Sequence, residues 1–200
     1  WINGGEGADQ LDGGEGKDTA AYYSSKSGVE VNLAKGEGKG GEAEGDKLKD
    51  IENVRGSKYD DTLIGDEGDN RLTAESGDDQ LSGGAGKDTL SGGAGEDVLK
   101  GGEGNDGLFG GAGTDRIEGG EGNDWINGGE GADQLDGGEG KDTAAYYSSK
   151  SGVEVDLAKG EGKGGEAEGD KLKDIENVRG SKYDDTLIGD EGDNRLTAES

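Results

Sequence analysis

Residues 83–106 read GGAGKDTLSGGAGEDVLKGGEGND, nine letters written almost three times over. Gly returns at positions one, two and four of each copy, Asp at position six and an aliphatic residue at position eight. The last three residues of a copy alternate polar, apolar, polar, which predicts a short strand with one inward side chain. The first six, GGxGxD, predict a turn whose Gly residues take positive φ and bring carbonyls close to a ligand. Turn plus strand, repeated, describes a coil.

The period extends well beyond this stretch. It runs unbroken from Gly56 to Ala145 in ten copies, with Leu63, Leu72, Leu81, Leu90, Leu99, Leu108, Ile117, Ile126, Leu135 and Ala144 at position eight. A longer repeat encloses it. Residues 1–76 recur as 125–200 with one difference, Asn32 against Asp156, so the tandem unit is 124 residues. The chain thus divides into a partial block (1–21), a 34-residue spacer (22–55), the ten-copy block (56–145), the spacer again (146–179) and the start of another block (180–200). It opens at Trp1 inside the pattern, which reads as a window on a longer array.

Composition argues against an ordinary core. Only 26% of the 200 residues are apolar, 47 are Gly, and 48 acidic against 21 basic side chains leave a net charge of -27. Such a chain is normally disordered. One inward aliphatic side chain per nine residues falls short of the entropy of ordering them. Stacked turns would also set rows of Asp against one another. A cation answers both difficulties, and folding and metal binding then become one event. With Cys, His, Met and Pro all absent, thiolate and imidazole metal sites, disulfides and His-based triads are excluded, leaving hard, oxygen-seeking cations. No basic surface suits a nucleic acid, and no apolar run suits a membrane span.

GGAGKDTLS, GGEGNDGLF and GGEGADQLD match the GGxGxDxUx consensus, and on these motifs the chain resembles the RTX (repeats-in-toxin) calcium-binding nonapeptide family, also called the hemolysin-type calcium-binding region. Seven good copies run from Gly83 to Ala145, after three degenerate ones. The resemblance implies an all-β fold, a right-handed parallel β-roll or β-solenoid with two nonapeptides per turn and Ca²⁺ between turns. One column of turns would then hold Asp61, Asp79, Asp97, Asp115 and Asp133, and the other Asn70, Asp88, Asp106, Asp124 and Asp142. Four gaps in each column imply about eight Ca²⁺ ions per complete block. Each ion would take two position-six carboxylates plus carbonyls of the second and fourth Gly: Gly84, Gly86, Gly93, Gly95, Gly102, Gly104, Gly111, Gly113, Gly120, Gly122, Gly129 and Gly131. Asp9, Asp18 and Asp185 match the pattern in the partial blocks, whereas Asn70 and Asn194 depart from it and imply weaker or differently built sites.

Other motifs carry little. GEGKGG at Gly36–Gly41 satisfies GxGxxG, but no uninterrupted helix follows. GGAGKDT at Gly83 has Asp88 where a phosphate loop needs Ser or Thr, and the abundant carboxylates read as ligands and solvated surface rather than a glycosidase pair. In the spacer, Val29, Val31 and Leu33 alternate as a strand, and Leu48, Ile51 and Val54 form a second apolar set. A coil continuing the roll, with Asp46 or Asp50 as extra ligands, is favoured over a lateral bulge, since solenoid ends need cover. Trp125 and Phe109 should face outward on neighbouring strands, as cross-strand packing or as a contact surface.

The expected function is non-enzymatic: a calcium-dependent structural module of a secreted or cell-surface protein of adhesin, surface-layer or extracellular fibre type. The resemblance implies type I secretion in an unfolded state, then folding outside the cell. The alternatives are the RTX module of a secreted protease, lipase, cytolysin or polysaccharide epimerase, and a designed consensus array. Besides calcium, the expected partners are copies of the chain, end to end or side by side, or a surface polysaccharide.

Overall fold

The computed structural model describes residues 1–198. Its regular part is a parallel β-roll. Successive nonapeptides send strands alternately to two sheets: Arg71–Ser76, Thr89–Ala94, Gly107–Ala112, Trp125–Glu130 and Thr143–Ala145 lie side by side in one, and Thr62–Ile64, Gln80–Ala85, Val98–Glu103, Arg116–Gly122 and Gln134–Gly140 in the other. All these pairings are parallel, with like positions of alternate copies aligned: Leu90 pairs with Leu72 and Leu108, and Leu99 with Leu81 and Ile117. No α-helix occurs among the described residues.

The position-eight side chains from Leu63 to Ala144 are all buried and stack along the axis as a thin core. The strands are longer than the polar-apolar-polar triplets predict. Thr89–Ala94 runs six residues and buries both Leu90 and Gly92, so the first two Gly of the following copy belong to the strand and the turn shrinks to positions four to six. The second inward position stays bare because the Asp of its own copy folds back over it. A Cβ on Gly92 would collide with the Asp97 carboxylate.

Each spacer partly continues the coil and partly departs from it. Lys47–Lys49 and Asn53–Arg55 make one regular turn, parallel to Gln10–Asp12 and Thr19–Ala21 below. Before that turn, Glu30–Asn32 pairs parallel with Thr62–Ile64 and antiparallel with Glu37–Lys39, which returns antiparallel to Lys47. Val29, Val31, Leu33, Leu48, Ile51 and Val54 are all buried in the common core. The expected continuing coil is therefore present, with two strands added to one sheet only. The second spacer repeats this arrangement through Glu154–Asp156, Glu161–Lys163, Lys171–Lys173 and Asn177–Arg179, and the sheets contain thirteen and nine strands among the described residues.

Candidate metal centre

The roll places the position-six Asp residues in two columns of loops, each just before a strand. Within a column the backbone N–H of one Asp donates to Oδ1 of the Asp one turn further on. Asp79 donates to Asp97, Asp97 to Asp115 and Asp115 to Asp133, each at 2.9 Å. In the other column Asp88 donates to Asp106 and Asp106 to Asp124 at 2.8 Å, and Asp124 to Asp142 at 2.7 Å. Each ladder employs one oxygen per carboxylate. The other, Oδ2 of Asp79, Asp88, Asp97, Asp106, Asp115, Asp124, Asp133 and Asp142, is buried and accepts no hydrogen bond, although none of these residues is more than 3% exposed.

An ionised oxygen in that position is costly without a counter-charge. Burial pushes the carboxyl groups of Asp79 and Asp115 up to about 7 and those of Asp88, Asp124 and Asp133 up to about 6, against the opposing pull of the ladder N–H. Asp97, Asp106 and Asp142 are raised from the same cause. Like charges one turn away add to the rise at Asp79, Asp88, Asp115 and Asp124. The columns therefore hold their charge poorly by themselves.

Carbonyl oxygens meet these orphaned atoms. A Cβ built on Gly83 would collide with Asp88 Oδ2 and lie 2.7 Å from the carbonyl oxygen of Gly101, one turn on. The same convergence recurs at Gly101 with Asp106 and Gly119, and at Gly110 with Asp115 and Gly128. The second and fourth Gly are bare for a different reason. Gly102 and Gly104 take φ of 118° and 133°, and side chains there would strike the carbonyls of Gly84 and Gly86 in the turn below. Gly93, Gly95, Gly111, Gly113, Gly120, Gly122, Gly129 and Gly131 share the positive φ. Among the described residues no group of three or more carboxylates gathers as a metal site, so carbonyls must complete any coordination shell. Oxygen-only donors, charged and neutral, suit Ca²⁺, and the buried unpartnered carboxylate oxygens would supply the charge it needs.

The degenerate copies are built differently. Both oxygens of Asp61 are satisfied, by the N–H of Val29 and by the N–H and hydroxyl of Ser57. Asn70 accepts from the Asp66 N–H and donates its amide to Glu52 O and Asp66 Oδ1. Ser57 and Asp66 occupy position two, where the later copies carry Gly, and close their loops without help. Asn194 repeats the Asn70 arrangement with Asp190 and Glu176. Asp9 and Asp185 each keep one buried, unpartnered oxygen, and the Asp18 N–H donates to Glu52.

The spacers enter the columns through residues the nonapeptide pattern does not mark. Asp46 Oδ1 accepts from the Asp9 N–H and its Oδ2 from the buried Tyr22 hydroxyl; Asp170 does the same for Asp133 and Tyr146. Glu52 and Glu176 take the corresponding place in the second column. The carboxylate of Asp50, by contrast, pairs with Lys49. On the outer face Trp125 stands beside Gly107, and its ring packs 6.1 Å from Tyr147, with the Arg179 guanidinium over both; Phe109 pairs along the ladder with Asn127.

A parallel solenoid whose loops carry ladders of buried, half-satisfied carboxylates beside converging carbonyls has the architecture of a cation-binding repeat. The family model of the RTX calcium-binding nonapeptide repeat, four copies long, matches residues 1–20, 50–81, 73–108, 82–117, 109–144 and 174–200. The chain belongs to this family. No curated protein matches it. It is thus a module of calcium-binding repeats, of a kind typical of secreted or extracellular proteins.

Proposed function

We propose that the chain is a calcium-dependent structural module of a secreted or cell-surface array, of adhesin, surface-layer or fibre type, that folds outside the cell. The eight buried, unpartnered oxygens of the position-six Asp residues in the ten-copy block carry this reading, at one ion per oxygen and about eight ions per block. Position six supplies the charge through Asp79, Asp88, Asp97, Asp106, Asp115, Asp124, Asp133 and Asp142, and backbone carbonyls of the adjoining turns complete each shell. Near-verbatim duplication of a 124-residue unit supports a role in length and stiffness, since copying adds little to an active site. Function as the RTX module of a secreted enzyme or toxin is the second reading, supported by the same calcium-binding loops. The cation-flanked Trp125 and Tyr147 on the outer sheet offer a contact surface for another copy or a polysaccharide.

Hydrodynamic size tests the proposal. In EGTA the chain should elute as an expanded coil, and in about millimolar Ca²⁺, the range of extracellular calcium modules, as a compact rod. An elution volume indifferent to calcium contradicts it.

A further inference from the structure

The eight unpartnered oxygens are displaced one turn from where equally spaced nonapeptides would put them. Asp61 and Asn70, at the start of the columns, have none, whereas Asp133 and Asp142, at the end, each retain one. From the geometry at this junction we infer that the spacer completes a cation site of its own, formed by the Asp142 carboxylate, the Asp174 backbone carbonyl and the Glu176 carboxylate. The inference rests on the calcium reading of the nonapeptides and extends it to a segment outside their pattern.

Asp142 is fully buried and its Oδ2 accepts no hydrogen bond. In the regular turn below, the vacant Cβ position of Gly119 is flanked by Asp124 Oδ2 and the carbonyl of Gly137. One turn on, the vacant Cβ position of Gly137 is flanked by Asp142 Oδ2, at 2.7 Å, and by the carbonyl of Asp174. The spacer thus presents a carbonyl where a nonapeptide presents that of its first Gly. Asp174 adopts φ 49°, a left-handed conformation that non-glycine residues rarely take, and Asp50 in the first spacer adopts φ 51°. The side chain of Asp174 turns outward to Lys173 at 3.0 Å, which leaves the carbonyl as its contribution. Glu176 Oε2 accepts the Asp142 N–H at 2.8 Å, as Asp142 Oδ1 accepts that of Asp124 at 2.7 Å. Two carboxylates and a carbonyl around a bare Gly reproduce the oxygen set of the regular sites, and a hard cation of Ca²⁺ type fits it. The site staples the spacer to the last complete turn of the block.

Native mass spectrometry of the whole chain in Ca²⁺ counts the ions. Glu176→Gln removes one charged ligand that no regular site uses, so it should carry one ion fewer than the parent chain. Glu139→Gln, an exposed change in the same nonapeptide, should carry the same number. Asp174→Gly keeps the carbonyl and relieves the left-handed backbone, so it should keep the ion. An unchanged count in Glu176→Gln, or a lost ion in Asp174→Gly, overturns the assignment. Should Glu176→Gln fail to fold, anomalous diffraction from crystals of the parent chain grown in Ca²⁺ decides: a peak beside Gly137 is expected, and calcium peaks in the regular gaps with none there refute the site. A parent chain that binds no calcium at all instead refutes the underlying reading of the repeats.

Discussion

At the residue scale each member of GGxGxD has a separate physical duty. Position-one Gly makes room for the carboxylate of its own copy, and the second and fourth Gly let loop backbones stack at positive φ. Asp at position six spends one oxygen on the ladder and leaves the other unpaired. The single difference between the two copies of residues 1–76 is consistent with such local rules: Asn32 and Asp156 each accept the N–H three residues on, from Lys35 and Lys159. Asp106→Ala should therefore act along its own column. It removes an acceptor for the Asp88 N–H and an orphaned oxygen facing the next turn, so calcium affinity at Asp88 and Asp124 should fall at least as far as the roughly 10- to 100-fold that loss of a supporting group costs. Asp97 and Asp115, in the opposite column, should be nearly unaffected. Equal weakening in both columns, followed by NMR of the aspartate carboxyls during calcium titration, would contradict the two-column arrangement.

At the scale of the element, a column is a set of coupled acids. Burial holds their folded-state pKa values above the unfolded value of about 3.9, at about 6 to 7 where the rise is largest. A raised carboxyl means that the folded chain binds more protons than the unfolded one across this interval. Stability of the ion-free roll is then greatest below about pH 4 and is lost as pH rises through 6 to 7. Calcium competes with those protons, so its binding should strengthen over the same interval. Residual β-structure in EGTA, followed by circular dichroism from pH 4 to 8, should decline with pH, while the calcium midpoint should shift to lower concentration. A midpoint independent of pH would count against the buried Asp as ligands.

The two columns were legible in the sequence because Asp recurs every nine residues, and so was the core at position eight. The extension of the strands through the first two Gly was hidden, because Gly signals a turn equally well and its packing against Asp97 or Asp88 is visible only in three dimensions. The approach of the position-one carbonyl to the Asp oxygen one turn back was hidden for the same reason. In the spacer Asp46, Glu52, Asp170 and Glu176 join the columns at irregular spacing, which no periodicity reveals; of these the sequence singled out only Asp46, alongside Asp50.

At the scale of the whole molecule the spacers break the symmetry between the sheets. Each contributes three strands to one sheet and one to the other, an excess of two per spacer that gives thirteen against nine among the described residues. At about 4.8 Å per strand, one face gains roughly 10 Å per spacer. The axis of a long array should turn toward the shorter sheet every 124 residues, and electron micrographs of a multi-unit array in calcium should show regularly spaced bends. A straight rod would mean that the longer sheet bows locally instead.

The core is thin throughout, and on the proposed reading the orphaned carboxylates make calcium a condition of folding. Far-ultraviolet circular dichroism during calcium titration at neutral pH, followed by EGTA, measures this most directly. The expected result is a disordered spectrum without calcium, a cooperative rise of β-structure on its addition and full reversal on chelation. Equally strong β-structure in EGTA at neutral pH would contradict the account.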